Sequence, residues 1–415
     1  MLGSMPSQLG LDYKPLESPL LENPHPFYAR LRRDAPVTFA PAFHFWLVSR
    51  YQDVQTVLKD ARRFSSRDAL RPPIELPPSI QAILKEADYS PDYPLLGDDP
   101  PGHTRVRGLV GKAFTLSRIN DLAPHIRDIA TAHIDTLLRN GPRADLISSL
   151  AAPLPMQVIT EMLGIPERDR AQLRQWCDDE KLFFIPNLPP DQHVRAARGA
   201  ADFRLYLRRL IEERRRNPRP DLLTSLLDAR LEGERPLSTQ ELVALACVIM
   251  FAGQETTTNL IGATVLHLLR HPGTWQELRK HPFALRNAIE EVLRFDAPVA
   301  GMMRTTTERV TLSGTDIPAG SRLFLLFASA NHDEAVFEQP DRFDIHRPNA
   351  VRNLSFGHGI HYCVGAPLAR LEAQITLEVM LERMPDLRLV PGEPVPYLPN
   401  LIHRGPRQLL VQWGA

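Results

Sequence analysis

Hydrophobic residues recur every three to four positions through most of residues 103–295, which is the period of a helix with one buried face. Short apolar runs of strand length occur nearer the two ends of the chain, at Val37–Ala40, Phe45–Val48, 323–327, 387–390 and 409–413. We therefore expect a fold that is mainly α with small β-sheets, in a single large α-rich body.

One helix is predicted to be much longer than the others. Ser238 and Glu241 have the spacing of a capping box, in which each side chain bonds the backbone N–H of the other residue. Apolar periodicity then continues to Leu269 and stops before Pro272, a length of roughly 30 residues or about 50 Å. The middle of this segment, 253–258, contains a glycine and three threonines, which are weaker helix formers than alanine or leucine. Such a local conflict inside a buried helix is typical of a functional site.

The composition is that of an ordinary globular protein, with 43% hydrophobic and 24% charged residues. Lys+Arg and Asp+Glu both total 49, so net charge does not favour nucleic acid as a partner. The arginine-rich run at 208–216 is expected to be a solvated helix face. No apolar run reaches the roughly 18 residues needed to span a bilayer. We expect a monomer that binds neither nucleic acid nor membrane.

The three cysteines, Cys177, Cys247 and Cys363, are far apart and odd in number. They form no CxxC pair, which argues against a zinc ribbon or a disulfide framework and indicates a reducing, cytoplasmic location. At the N-terminus no basic segment is followed by an apolar run, so we expect no signal peptide. Residues 1–4 are typical of a cloning remnant ahead of a second methionine, and we expect one domain over 5–415.

The strongest chemical signal is a glycine-rich segment around Cys363, directly before an apolar helix. Its glycines allow turns and close backbone approaches that other residues do not. Amide groups at a helix N-terminus favour a thiolate and can donate hydrogen bonds to its sulfur. The residues alone leave three interpretations open: a buried cysteine in a turn, a metal cluster of His358, His361 and Cys363, or a thiolate ligand of haem iron.

The whole segment resembles the haem-binding loop of the cytochrome P450 family in its soluble bacterial form. The pattern Phe, Gly, x, Gly, x, His, x, Cys, x, Gly is filled here by Phe356, Gly357, Gly359, His361, Cys363 and Gly365. The resemblance implies the cytochrome P450 fold, with the long helix passing over a haem b. It implies that Cys363 binds the iron and that Phe356, Gly357 and Gly365 of the same loop contribute to binding the haem. A thiolate on haem iron favours cleavage of the O–O bond.

Further matches to the family follow in the same order over nearly the whole chain. Glu291 and Arg294 match its Glu-x-x-Arg pair, and the spacing places both side chains on one helix face. By position in the loop 337–347, Arg342 would be the third member of a buried charge cluster. The role of these three residues would be structural, in support of the cysteine loop.

Four residues match positions that bind the haem propionates in the family: His103, Arg107, Arg304 and His361. His103 and Arg107 are four residues apart, so they share a helix face. Two partly buried carboxylates require cationic or hydrogen-bonding partners, and the resemblance implies that these side chains supply them.

The middle of the long helix resembles the oxygen-activation segment of the family. The small residues Ala252 and Gly253 would leave room for dioxygen. Thr256 would hydrogen-bond the activated oxygen, and Glu255 would supply protons from solvent, since an adjacent acid and alcohol suit a proton relay. Taken alone, Glu-Thr-Thr-Thr is more typical of an exposed surface; its position between two apolar halves of one helix favours the relay.

The resemblance places four segments on the substrate side of the haem, at about 65–96, about 183–190, 298–302 and 398–402. The apolar residues expected to contact substrate are Phe251, Ala252, Val299, Ala300, Met302, Leu401 and Ile402. A plain core role is about equally compatible with each of them. Their apolar character favours a hydrophobic substrate such as a terpenoid, steroid, fatty acid or polyketide.

The resemblance implies a monooxygenase that hydroxylates or epoxidises its substrate with O2. The sequence has no strand–GxGxxG–helix unit for a flavin and no cysteine cluster for an iron–sulfur centre, so we expect electrons from a ferredoxin and its reductase. Arg105, Lys112, Arg352 and Arg370 would form a basic docking surface. Two alternatives stay open: a haem-thiolate peroxygenase, isomerase or coupling enzyme, and a haem sensor without catalysis. The predicted proton relay argues against both.

Overall fold

The structure is a computed structural model that describes residues 7–67, 69, 76–87, 89, 93–182 and 189–414. Helices dominate in these ranges and the strands are short, which confirms the predicted fold class. The α-helices are α1 (Gln8–Leu11), α2 (His25–Asp34), α3 (Tyr51–Lys59), α4 (Pro78–Glu86), α5 (Gly102–Ala113), α6 (Leu116–Asp121), α7 (Ala123–Arg139), α8 (Pro153–Met162), α9 (Arg170–Lys181), α10 (Pro190–Arg216), α11 (Leu222–Asp228), α12 (Thr239–Arg270), α13 (Thr274–Lys280), α14 (Leu285–Phe295), α15 (Phe327–Ala330) and α16 (Ala366–Arg383). The strands are β1 (Val37–Ala40), β2 (Phe45–Val48), β3 (Phe64–Ser65), β4 (Arg143–Asp145), β5 (Met302–Thr306), β6 (Val310–Leu312), β7 (Thr315–Ile317), β8 (Arg322–Leu325), β9 (Arg388–Leu389) and β10 (Leu410–Gln412).

The predicted long helix is α12, which contains 32 residues. Its capping box is present: the N–H of Ser238 donates to Glu241 Oε2 (2.8 Å), and the N–H of Glu241 donates to Ser238 Oγ (3.1 Å). Burial would raise the pKa of Glu241, but Arg235, the Ser238 amide and Arg105 lower it to about 2. The helix continues without a break through Gly253 and the threonines that follow. Neither α12 nor any other helix in the described ranges is apolar enough over a sufficient length to cross a bilayer.

The largest sheet has the strand order β1-β2-β8-β5-β3 and is antiparallel except for the β2–β8 pair. Leu323 and Leu325 of β8 belong to one apolar cluster, whereas Phe324 between them belongs to another. Because side chains alternate along a strand, both faces of this sheet are buried at β8. All five predicted strand runs contain a strand, although the run at 323–327 ends in the first residue of α15.

Internal contacts divide the chain into two compact units. The first unit comprises Met1–Ser65, Asn120–Pro155 and Glu255–Ala415, and it contains the three sheets of the described residues. The second unit comprises Ser66–Ile119 and Met156–Gln254; within it α10 packs against α9 and α4, and α5 packs against α11. The single domain expected over 5–415 stays a prediction.

The arginine-rich end of α10 departs from the sequence prediction at one position. Arg214 is buried, bonds the carboxylate of Asp221 and donates Nη2 to the carbonyl oxygen of Gly164 (2.6 Å). The prediction of a solvated face is therefore wrong for Arg214, although Arg215 and Arg216 are exposed. Because its guanidinium bonds both a carboxylate and a carbonyl oxygen, the buried Arg214 connects separate segments of the second unit.

Candidate functional site

The glycine-rich segment forms a tight loop directly before α16. The backbone N–H of Cys363 donates to the carbonyl oxygen of Phe356 (2.9 Å), which closes the loop. Gly357 and Gly359 both have a φ of 71°, a left-handed conformation that other residues rarely adopt. A Cβ atom at Gly359 would lie 2.5 Å from the carbonyl oxygen of Leu58 on α3. Glycine is therefore required at position 359 by both conformation and space.

Cys363 differs sharply from the other two cysteines in its surroundings. Cys177 and Cys247 are each 1% exposed and belong to the apolar core, whereas Cys363 is exposed. An accessible thiol at the start of a helix is the environment of a reactive or ligating cysteine. Among the described residues no three His, Cys, Asp or Glu side chains are arranged to hold a metal ion. His358 and His361 thus do not join Cys363 in a cluster, and the interpretation of a buried turn cysteine is wrong.

A buried charge cluster lies at the end of α14. Arg294 donates Nε and Nη2 to the two carboxylate oxygens of Glu291 (2.7 and 2.8 Å), and both side chains are 0% exposed. The third member is Arg347, whose Nε lies 3.0–3.1 Å from the same carboxylate. The prediction of Arg342 is wrong, because its side chain is 68% exposed. The loop turns so that the carbonyl oxygen of Arg342, rather than its guanidinium, faces the cluster and accepts hydrogen bonds from both other arginines.

The cluster is connected to the beginning of the cysteine loop through Asn331. Arg294 donates Nη1 to the carbonyl oxygen of Asn331 (3.0 Å). The side chain of Asn331 in turn accepts from the N–H of Leu354 (2.7 Å) and donates to Ser355 Oγ (2.9 Å). The charge cluster therefore holds the residues that lead into Phe356.

A second support comes from Arg370 on α16. Its Nε donates to Glu290 of α14 (2.5 Å), its Nη1 donates to the hydroxyl of Tyr362 (3.1 Å), and its guanidinium lies 4.4 Å from the ring centre of Phe356. These contacts fix both ends of the cysteine loop against α14. No sequence pattern pointed to Glu290, and Arg370 was predicted only as a surface charge.

The residues predicted to bind haem propionates are found in both units. In the first unit, Arg304 lies on β5 and is 5% exposed, and His361 is partly exposed in the cysteine loop. In the second unit, His103 and Arg107 lie one turn apart on α5. Arg105, between them in sequence, bonds Glu241 instead, so its prediction as a docking residue is wrong. Within the first unit alone, an accessible thiol, a buried arginine and a histidine are groups of the types that haem b requires.

The middle of α12 has one accessible face. Phe251, Ala252, Glu255 and Thr256 are partly exposed, whereas the four residues Gln254, Thr257, Thr258 and Asn259 are buried. Positions i, i+1, i+4 and i+5 share one side of a helix. Gly253 is explained by packing, because a Cβ there would lie 3.3 Å from Ile159 of α8. The candidate proton relay thus lies on an open strip of an otherwise buried helix.

Two of the predicted substrate segments lie side by side in the first unit. The N–H of Ala300 donates to the carbonyl oxygen of Ile402 (2.7 Å), and Val299 pairs with His403 in an isolated bridge. Leu401 and Ile402 pack against the apolar cluster that includes Ala300, and Met302 packs against the neighbouring one. Of the other predicted segments, residues 68, 70–75, 88, 90–92 and 183–188 lie outside the described residues.

Comparison with known proteins gives a consistent result. The family model described as cytochrome P450 matches residues 172–396. Cytochrome P450 monooxygenase PikC from Streptomyces venezuelae is 40% identical over 99% of this chain and 96% of its own length. Vitamin D(3) 25-hydroxylase from Pseudonocardia autotrophica is also 40% identical, over 95% of this chain and 94% of its own. The solved structure of cytochrome P450 CREJ in complex with (4-ethylphenyl) dihydrogen phosphate has a TM-score of 0.92 and 32% identity, covering 98% of this chain and 100% of that one.

These relatives match the chain over nearly its full length and not only at the cysteine loop. The glycine-rich loop, the buried Glu291–Arg294 pair and the long helix occur here in one polypeptide with the family's sequence order. The chain therefore belongs to the cytochrome P450 family and is a monooxygenase with haem b as its cofactor.

Proposed function

We propose that this cytochrome P450 hydroxylates or epoxidises a hydrophobic small molecule with O2, two electrons from an external donor and two protons. One oxygen atom enters the substrate and the other leaves as water, so the protons and electrons balance. The open strip of α12, with Glu255 beside Thr256, carries the proposal. An enzyme that reacts with peroxide directly has less need of a proton path at this place.

In this proposal Glu255 and Thr256 deliver protons to the oxygen that leaves as water. Haem b supplies the redox chemistry that activates dioxygen. Glu255, a partly exposed residue, exchanges protons with solvent, and the hydroxyl of Thr256 donates a hydrogen bond at the reacting oxygen. The small side chain of Ala252, one turn earlier on the same face, leaves space beside them.

The proton path is tested by Thr256→Ala, with Thr258→Ala as the matched control on the buried side of the same helix. Thr256→Ala should raise the hydrogen peroxide released per electron consumed and lower the rate of product formation by about a hundredfold, the lower end of the range for loss of a proton-transfer group. Thr258→Ala should keep the coupling of the unmodified enzyme. Normal coupling in Thr256→Ala, or full turnover with peroxide alone, would refute the proposal in favour of a peroxygenase.

We propose Cys363 as the iron ligand, because it is the exposed cysteine in a loop held on both sides by α14. The reduced carbonyl complex of the protein should show a thiolate-type absorption spectrum. Cys363→His should convert it to an imidazole-type spectrum, while Cys177→Ala should leave it unchanged. A thiolate-type spectrum that survives in Cys363→His would overturn the assignment.

We propose a hydrophobic substrate of the terpenoid, steroid, fatty acid or polyketide class. The supporting observations are the apolar side chains gathered at 299–302 and 401–402, and the relative named for hydroxylation of vitamin D(3). A panel of one compound from each class, with charged, polar compounds as controls, is screened by the low- to high-spin shift of ferric haem absorption. A response limited to charged, polar compounds would refute the proposed class.

We propose that electrons come from a ferredoxin that docks beside the cysteine loop. Arg352 is exposed, and its guanidinium lies 5.9 Å from the ring centre of Tyr51 on α3, the helix whose Leu58 contacts Gly359. Arg352→Glu should slow electron transfer from reduced ferredoxin and leave the spin shift of a bound substrate unchanged. Arg342→Glu is the control, since Arg342 is another exposed arginine of the same unit. Equal rates in both variants would exclude this docking surface.

A further inference from the structure

Three side chains of the first unit, one from α12 and two from the loop 397–404, converge on one buried carboxylate, that of Asp296. Asp296 follows the last residue of α14 and is 4% exposed. Its Oδ2 lies 2.9 Å from His267 Nε2 of α12 and accepts a hydrogen bond from the hydroxyl of Tyr397 (3.0 Å). Its Oδ1 accepts from Arg404 Nε (2.7 Å). A carboxylate buried to this degree is stable only with such partners, so the three contacts depend on one another.

The residues tied to Asp296 flank the two segments proposed to contact substrate. Leu401 and Ile402 lie on the loop between Tyr397 and Arg404, both of which bond the carboxylate. The segment 298–302 begins two residues after Asp296 itself. The two segments are then paired directly, because Arg404 N–H donates to the carbonyl oxygen of Pro298 (3.0 Å).

The loop that carries Tyr397 and Arg404 continues to Pro406, and this C-terminal loop (397–406) also lies against α12. A Cβ atom at Gly405 would collide with the side chain of Asn259, and one at Gly262 would lie 3.1 Å from Pro406 Cγ. Close approach at these glycines sets the distance between loop and helix. The bond from His267 to Asp296 acts two turns further along α12, so the loop is held to the helix at two levels.

We propose that Asp296 is a positioning residue for substrate: its carboxylate sets the register of 298–302 and 398–402 against each other and against α12. This inference rests on the proposed function, which assigns substrate contact to those two segments. The charge is integral to the arrangement. Burial alone would raise the pKa of Asp296, but Arg404 and His267 hold it well below its ordinary value, so the group stays ionised.

The test compares Asp296→Asn with Asp333→Asn. Asp333 is a second buried carboxylate of the same unit, which accepts from the backbone N–H groups of Tyr51 (2.8 Å) and Ala335 (3.0 Å) and is bonded to neither substrate segment. Two haem ligands serve as probes: imidazole, which needs space only at the iron, and clotrimazole, whose three aryl groups must fit the surrounding side chains. Binding of each is read from the shift in Soret absorption.

Asp296→Asn should lower the affinity for clotrimazole about tenfold, the equivalent of one lost hydrogen bond to a charged group. It should lower the affinity for imidazole by less than about twofold. Amide hydrogen exchange should accelerate in peptides covering 298–304 and 399–405. Asp333→Asn should change neither the ratio of the two affinities nor the exchange of those peptides. An unchanged ratio and unchanged exchange in Asp296→Asn, or the same losses in Asp333→Asn, would overturn the proposal.

Tyr397→Phe provides an independent variant should Asp296→Asn fail to fold. It removes one of the three contacts and no charge, so it should give a smaller change of the same kind in both measurements. Retention of wild-type values in Tyr397→Phe would then count against the proposal. If the unmodified protein gave no Soret response to either probe, the proposed function would fail, and hydrogen exchange would still decide whether Asp296 holds the two segments.

Discussion

Replacing Arg347 by methionine should destabilise the protein far more than the same change at Arg342, although both arginines lie in one loop. Arg347 donates to Glu291 and to three backbone carbonyls, those of Glu338 (2.7 Å), Gln339 (3.2 Å) and Arg342 (2.8 Å). Its side chain is 7% exposed, against 68% for Arg342. Each substitution removes one guanidinium group, from a buried site at Arg347 and from an exposed site at Arg342.

The magnitude follows from what stays buried after the change. Breaking a buried ion pair by removing one partner costs about 3–5 kcal/mol of unfolding free energy. Glu291 keeps both hydrogen bonds from Arg294, so the lower end of that range, about 3 kcal/mol, is expected for Arg347→Met. Arg342→Met removes an exposed charge whose nearest acid, Asp344, is 4.0 Å away, and should stay within about 0.5 kcal/mol.

The assay is urea unfolding followed by far-ultraviolet circular dichroism. The slope of the unfolding free energy against urea concentration is compared among the unmodified protein, Arg347→Met and Arg342→Met. Equal slopes with a lowered midpoint for Arg347→Met alone would show a change in stability at constant compactness. Because the cluster holds Leu354 and Ser355, Arg347→Met should also lose haem at lower urea concentrations than the unmodified protein. A loss for Arg342→Met as large as that for Arg347→Met would refute the assignment of the third cluster member.

Three further outcomes are expected. Burial holds the pKa of His25 well below its ordinary value, so this histidine resists protonation in the folded protein. The free energy of unfolding should therefore fall as pH drops below about 6.5, by up to roughly 1.4 kcal/mol per pH unit. His25→Phe should reduce this pH dependence in urea titrations between pH 7 and 5. Gly359→Ala should lower the unfolding midpoint more than Gly357→Ala, since both have positive φ but only position 359 would also clash with Leu58; equal midpoints would contradict the steric part of the reasoning. Glu241→Gln should destabilise the start of α12, measured as faster hydrogen exchange over 238–245, because it removes the anion shared by two arginines, and unchanged exchange would show that the neutral cap suffices.

The sequence is informative where one local pattern dictates the structure. The capping box and apolar periodicity located α12 to within a residue at each end, because both signals act within the helix itself. Cys363 and the Glu291–Arg294 pair were likewise found from fixed spacings. The strands at Val37–Ala40 and Phe45–Val48 had the bounds that their apolar runs suggested.

Prediction failed where the outcome depends on a turn of the chain or on a distant partner. The loop 337–347 contains two arginines of equal local character, and only the folded backbone decides that one presents its guanidinium and the other its carbonyl oxygen. Arg105 was predicted to be a surface charge because its partner Glu241 is 136 residues away in sequence, and no local pattern predicts that contact. Asp296 was missed for the same reason, since His267, Tyr397 and Arg404 are 29, 101 and 108 residues away.

Two buried acids at the end of α14 therefore serve different parts of the first unit. Glu291 lies within the regular part of α14, and its charge cluster is connected through Asn331 to the cysteine loop. Asp296 lies just past the helix, where the backbone has left helical geometry, and its carboxylate serves the C-terminal loop and α12 instead. Since the two carboxylates share no hydrogen-bond partner among the described residues, damage to one should leave the other's contacts in place. Changes at Arg347 should thus affect haem retention, and changes at Asp296 the fit of bulky ligands, even though the two acids are only five positions apart in the sequence.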